Sequence, residues 1–397
     1  MRVLLVNDYA SPTGGAEILV QNLREGLRER GHEARLLASR ARPEGAPWSA
    51  DYSCAGTLTG FRTPLQAVNP SARRAMRHAI REFRPDVVHV SLFLTQLSPS
   101  ILAPLRDLPA LYHVQWYRSV CPLGTKRLPD GSPCEVPWGI ACLRNHCVGI
   151  HEWMPLMLQR SLLGRDRDVF DTFVAPSNRV KALVERAGLS PVEVVPNAVA
   201  RAAAIRDVNE IDPHAIGFAG RFVAEKGVRV LVDAFEIVLA RQPRARLLLI
   251  GDGPERPRIE RRVAASRFGE RVEITGWLPW EEADRRLRTV AVQAVPSLWE
   301  EPFGLVAVEA MARGTPVVAS DTGGLGEVLE QGRTGWLVPP GDPAALAAAL
   351  LTVLEDRETA SRLARAGQLV AREGYAMSAF VDRMLGIYRR LTGARVA

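Results

Sequence analysis

The sequence predicts an α/β protein built from two doubly wound parallel sheets with a cleft between them. Three observations carry this. Strand-length apolar runs alternate with helix-period segments along the whole chain. The alternation lapses once, at residues 198–213, and then restarts. The 397 residues are about twice the usual size of one domain.

Residues 2–7 read as a parallel strand, because the unbroken apolar run Val3–Val6 suits burial on both faces. A turn with Pro and two Gly follows, and then a helical segment, 16–30, that stops at Gly31. Strands are expected at 33–38, 86–92, 111–114, 172–175 and 192–195, with helices at 70–83 and 178–187. Residues 118–148 follow neither period and are rich in Pro, Gly and Cys, so they form an irregular insertion (about 118–150) in a first domain of residues 1–197. After the linker 198–213, strands are expected at 215–219, 246–250, 272–275, 291–296, 316–320 and 335–338, with helices at 228–240 and 303–313. This second domain spans 214–376, and residues 377–397 are expected to be a helix bridging the two domains.

Composition excludes several classes. No run approaches the roughly 18 apolar residues of a membrane helix, and the N-terminus lacks the apolar core of a signal peptide, so a cytoplasmic location is expected. Lys and Arg number 51 against 44 Asp and Glu, but they are scattered, with no basic module, so no nucleic-acid partner is expected. The charge leaves room for a weak peripheral association with an anionic membrane surface. Only three of the basic residues are lysines, Lys126, Lys181 and Lys226. A GC-rich genome explains the arginines, yet it also raises the question of what holds each lysine in place.

Ligands of such sheets bind beyond the carboxyl ends of the strands, which directs attention to the loops there. Gly14 and Gly15, between the first strand and helix, make either a tight turn or a seat for phosphate on free N–H groups. No G-x-G-x-x-G is present, which argues against a nicotinamide or flavin site. In the second domain, residues 220–227 place Arg221 and Lys226 on one loop before a helix. That loop is either solvated basic surface or a place to neutralise a diphosphate. Residues 296–314 put Pro302 in the first turn of a helix, Gly314 at its stop, Glu301 at its mouth and Glu309 two turns in. A glutamate among Val306, Val308 and Met311 needs a partner if buried, and ribose hydroxyls would serve.

The E-P-F-G-L-x-x-x-E pattern of Glu301 to Glu309 and the G-R-x-x-x-E-K-G loop of Gly220 to Gly227 resemble the family 4 retaining glycosyltransferases. Gly251-Asp252-Gly253, Pro12 to Glu17, Arg30 to Glu33, Val195 to Asn197 and Gly335 to Asp342 match in the family's order. The resemblance implies the GT-B fold, two Rossmann-like domains facing across a cleft. It further implies that Gly14 and Gly15 meet the donor diphosphate, and that Arg221 and Lys226 neutralise it. Glu301 then contacts the transferred sugar near the N–H groups of Phe303, Gly304 and Leu305, and Glu309 holds the ribose. His113 matches the family's active-site histidine, although the family follows it with an acidic residue where this chain has Val114 and Gln115. From the residue alone, a lone histidine at a strand end is more often structural.

The implied activity is transfer of a sugar, with retention, from a nucleotide-diphosphate sugar to a hydroxyl acceptor of a glycan, glycolipid or natural product. A UDP-sugar is the expected donor. A sugar-nucleotide epimerase or a degenerate nucleotide-sugar-binding subunit is the alternative. No cofactor is required, because basic side chains can stabilise the leaving diphosphate, and no D-x-D motif is placed to hold a catalytic metal. Cys121, Cys134, Cys142 and Cys147 lie within 27 residues, as candidate ligands of a structural zinc, as two disulfides, or as free thiols.

Overall fold

The computed structural model describes residues 1–11, 14–42, 47–59, 62–199, 206 and 208–394. The chain divides into two units, one of residues 1–200 and 377–397, the other of residues 201–376.

The first unit holds a seven-stranded sheet: β1 (Arg2–Tyr9), β2 (Glu33–Ser39), β3 (Tyr52–Cys54), β4 (Val87–Val90), β5 (Ala110–His113), β6 (Thr172–Ala175) and β7 (Val192–Val194). The strand order is β3-β2-β1-β4-β5-β6-β7, and every pairing is parallel. Val3 pairs with Ala34 on one side and Val87 on the other, so β1 is central and Val3–Val6 are wholly buried. The second sheet repeats the plan with β8 (Asp212–Ala219), β9 (Arg246–Ile250), β10 (Val272–Gly276), β11 (Val290–Val295), β12 (Val317–Ser320) and β13 (Trp336–Val338). Its order is β10-β9-β8-β11-β12-β13, again all parallel. In both sheets the order reverses beside the first strand, between β1 and β4 and between β8 and β11. Such switch points open the crevice where ligands of doubly wound sheets bind.

Several elements differ from the sequence reading. β8 begins at Asp212, inside the stretch read as linker, and residues 200–205 and 207 of that stretch lie outside the described residues. The insertion contains a short helix, Ile140–Arg144, and is followed by a long one, Ile150–Asp166. The C-terminal helix is present where it was expected, at Met377–Ala394, and packs into the core of the first unit through Phe380, Val381, Met384, Leu385, Ile387 and Tyr388. Arg30 ties it further through Asp382 at 2.9 Å.

Candidate active site

The second unit brings two of its predicted residues, Lys226 and Glu301, together at its switch point. The loop after β8 tightens into a 3₁₀ turn, Ala224–Lys226, and hands over to the helix Val228–Arg241 at Gly227. The loop after β11 runs alongside, and Leu298 N–H donates to the Glu225 carbonyl at 2.8 Å. This contact sets Lys226 on Glu301. The ammonium lies 2.8 and 2.9 Å from the two carboxylate oxygens. Ser297 Oγ donates to Glu301 Oε2 at 2.9 Å and Trp299 Nε1 at 2.6 Å. The ammonium also sits 5.4 Å from the centroid of the Trp299 ring. Burial alone would raise the Glu301 pKa, but the Lys226 charge and these hydrogen bonds outweigh it and hold the group below the usual glutamate range. Gly324 N–H clamps the Glu301 carbonyl at 2.6 Å, so the backbone of the carboxylate is fixed as well.

Pro302 does not begin the next helix. The helix runs Leu305–Arg313 with Gly304 in the cap position at φ 101°, so Glu301, Pro302 and Phe303 form the bend leading into it. That leaves the N–H groups at the helix mouth without intrahelical acceptors, beside Glu301. Gly314 ends the helix in the left-handed conformation, as expected. Glu309 is one turn in rather than two, half-buried, with no side-chain hydrogen bond among the described residues. Burial raises its pKa, opposed by the Arg313 charge and reinforced by Asp284. Arg313 itself is fully buried, 3.1 Å from Asp284 and 2.6 Å from Gln293 Oε1, and anchors the far end of the helix. Arg221 is exposed, with no acidic partner among the described residues.

In the first unit, Gly14 caps the helix Gly15–Glu29 from an extended conformation, with Gly15 exposed at its mouth. Pro12 and Thr13 of that loop lie outside the described residues. Asp8, at the end of β1, is buried and accepts N–H groups of Thr95, Gln96 and Leu97 at 2.9, 2.7 and 2.9 Å, binding the loop after β4 to β1. His113 ends β5 and is buried. The Gln115 amide nitrogen lies 2.8 Å from its Nε2, and Asn197 Nδ2 donates to Gln115 Oε1 at 3.0 Å. The ring stacks 6.0 Å from Phe380 and lies 5.3 Å from His89, which bonds Tyr388 at 2.6 Å.

Burial pushes the His113 pKa down to about 3. The sign follows. Between the ordinary 6.5 and about 3 the unfolded chain binds the extra proton, so stability falls as pH drops through that window. Relative to His113→Asn, the wild type should lose about 1.7 kcal/mol more between pH 6.5 and 5, the slope rising from about half of 1.4 kcal/mol per unit at pH 6.5 toward the full value. Urea unfolding at the two pH values measures the difference, and parallel losses would contradict the buried neutral imidazole.

Of the three states open to the cysteines of the insertion, the structure shows free thiols. All five cysteines are free, and no group of three His, Cys, Asp or Glu side chains among the described residues could hold a metal ion. Cys134 Sγ turns to the Val136 carbonyl at 3.9 Å, Cys147 Sγ to that of Asn145 at 3.8 Å, and Cys142 packs with Trp138 and Leu156.

Sequence reasoning did not anticipate Ser297 and Trp299 as the other holders of Glu301, nor Gln115 as the partner of His113. The only available signal was their place beside residues already singled out.

Two doubly wound parallel sheets define an α/β class whose ligands bind beyond the carboxyl ends of the strands. The profile of "Glycosyltransferase Family 4" matches residues 13–202 and that of "Glycosyl transferases group 1" residues 202–370. The chain belongs to the family 4 glycosyltransferases, enzymes with the GT-B fold. Among relatives, a phosphatidyl-myo-inositol mannosyltransferase of Mycolicibacterium smegmatis is 28% identical over 100% of this chain and 95% of its own. The alpha-D-kanosaminyltransferase of Streptomyces kanamyceticus is 33% identical, but over 48% of this chain and 50% of its own. Sucrose-phosphate synthase of Thermosynechococcus elongatus shares the fold at TM-score 0.75 and 23% identity, covering 99% of this chain and 100% of its own. Anabaena HepE in complex with UDP-glucose does so at 0.69 and 20%, covering 98% and 100%. No described helix is long and apolar enough to cross a membrane.

Proposed function

We propose that this enzyme transfers a hexosyl group from a UDP-sugar to an acceptor hydroxyl with retention of anomeric configuration. The observation that carries the reading is the Glu301 carboxylate, held ionised by Lys226, Ser297 and Trp299 at the mouth of a helix. An ionised carboxylate fixed there accepts hydroxyls of a sugar, while N–H groups of Phe303, Gly304 and Leu305 face its diphosphate. Arg221, exposed on the loop that bears Lys226, supplies the second cation for a leaving group of about two negative charges. Glu309, half-buried and without a side-chain hydrogen bond among the described residues, takes the ribose hydroxyls. For Gly14 and Gly15 the family resemblance implies contact with the donor diphosphate, and for His113 contact with the donor sugar. The complex of HepE with UDP-glucose supports a uridine donor.

Retention follows a front-face course. The bond from the anomeric carbon to the diphosphate oxygen breaks, and the acceptor oxygen bonds the same face. Its proton passes to the departing phosphate, and UDP leaves.

A thermal-shift panel of nucleotide sugars tests the donor site. At a hundredfold excess over Kd a ligand adds about 2.7 kcal/mol, a shift of a few degrees. One UDP-sugar should raise the wild-type melting temperature and leave Glu309→Ala unmoved. A folded wild type that no nucleotide sugar shifts would overturn the proposal.

A further inference from the structure

Six of the eleven exposed large apolar side chains among the described residues fall between residues 118 and 166, in the insertion and the helix after it. Ile150, Met154 and Leu158 recur every fourth residue on the helix Ile150–Asp166, exposed by 48, 64 and 48%. Residues four apart share one face, so these form a single stripe. Ile140 extends it from the neighbouring short helix. Gly139 beside it accepts from Trp153 Nε1 at 3.1 Å, and a Cβ on Gly139 would lie 3.4 Å from Arg160.

The stripe is held outward. The opposite face buries Leu156 and Leu163, and the wholly buried Gln159 donates to the carbonyls of Gln66 and Leu94. Rotating the helix to hide Met154 would break both bonds. A helix apolar on both faces normally has a partner on each, and nothing among the described residues covers this one.

Charge identifies the occupant. Residues 1–200 and 377–397, the unit that carries the stripe, hold 28 Lys and Arg against 19 Asp and Glu. Residues 201–376 hold 23 against 25. All the excess positive charge therefore lies on the unit with the apolar face. Arg144, at the end of the short helix that begins at Ile140, and Arg160, whose guanidinium lies beside Gly139, are both exposed and without acidic partners among the described residues, and the long helix carries one exposed acid, Glu152. An apolar face edged by arginines matches the surface of an anionic bilayer, whose headgroups meet the guanidinium groups while Met154 and its neighbours enter the acyl boundary.

We propose that the helix Ile150–Asp166, with Ile140, is a docking surface for anionic lipid membranes. The inference does not depend on the donor or acceptor assigned above, and its test reads binding rather than transfer. The full chain is sedimented with vesicles of phosphatidylcholine containing about a third phosphatidylglycerol, and with vesicles of phosphatidylcholine alone. The wild type should pellet with the anionic vesicles and be released as salt rises, because surface charge is screened within about 10 Å at 0.1 M. Joint replacement Ile150→Ser, Met154→Ser and Leu158→Ser should weaken binding by about tenfold or more, since apolar burial supplies part of the affinity. Arg144→Glu with Arg160→Glu should reduce binding most at low salt. Unchanged melting of each variant certifies its fold, and Met154→Asp alone repeats the comparison if the triple variant melts early. Three results would overturn the proposal. The wild type could stay in the supernatant, the serine variant could bind as well as the wild type, or the stripe could instead support a dimer that the serine variant loses.

Discussion

Lys226→Met is expected to cost about 3 kcal/mol of stability in the second unit and to lower kcat by a factor of about 100 to 1,000. The stability loss follows from what remains behind. Glu301 is buried, and its carboxylate would keep Ser297 and Trp299 as donors but lose the cation that holds its pKa down. Removing one member of a buried pair strands the other, which costs more than the pair itself contributes. Lys226 keeps about a fifth of its side-chain surface in water, so the loss falls at the lower end of the usual range. The larger effect on turnover follows from the proposed chemistry, in which the ammonium meets charge that grows on the leaving diphosphate.

The pair variant separates the two roles. Lys226→Met with Glu301→Gln removes both charges and should recover most of the stability, because a neutral amide can still accept from Ser297 and Trp299. Activity should not recover. Urea midpoints and UDP release, measured on the single and double variants, give the comparison. A double variant that regains both properties would reduce the pair to a structural contact. Acid adds a second check. A carboxylate depressed in the folded state contributes stability that is present above its ordinary 4.5 and lost as pH falls through the folded value. Glu301→Gln should therefore flatten the decline in stability below about pH 4.5.

How far the sequence foretold all this depends on the range of the forces involved. The runs at β1, β6 and β9 were legible because a central parallel strand is buried on both faces, so burial is written into consecutive residues. β3 was not, since Tyr52–Cys54 is a three-residue edge strand with too few positions to show a period. The helices Arg256–Ala264 and Pro343–Glu355 also escaped notice. The first is nearly all polar, with Ile259 and Val263 alone reaching the core, and the second is apolar around most of its circumference. Pro302 misled for a local reason. Its fixed φ suits a first helical turn, but the Gly324 bond to the Glu301 carbonyl and the positive φ of Gly304 delay the helix to Leu305. Glu301 and Lys226 were each nameable from their motifs, yet their contact spans 75 positions and exists only where two loops meet at the switch point. The thiols of the insertion show the converse. Closeness in sequence suggested a ligand set, and the structure turns Cys134 and Cys147 toward carbonyl groups of their own turns.

Gly227→Ala should damage the second unit more than any substitution of a functional side chain. Gly227 has φ 67° and ψ 21°, a conformation that disfavours any Cβ by roughly 1 kcal/mol. A Cβ there would also stand 1.8 Å from the Pro296 carbonyl oxygen, well inside any permissible contact. The obstacle is backbone, so no rotamer change relieves it. Either the loop after β8 or the loop after β11 must move, and moving either breaks the Leu298 to Glu225 bond that seats Lys226 on Glu301. Strain at a left-handed position combined with a backbone clash belongs among the large mutational effects, at about 4 kcal/mol or more. Gly332→Ala is the matched control. It has φ 70°, but its Cβ would meet nothing within 4 Å. It should lose only about 1 kcal/mol, the conformational part alone. Chemical denaturation of the two variants isolates the steric share as the difference. Equal losses would mean that the approach of Gly227 to Pro296 is not the constraint that joins the two loops.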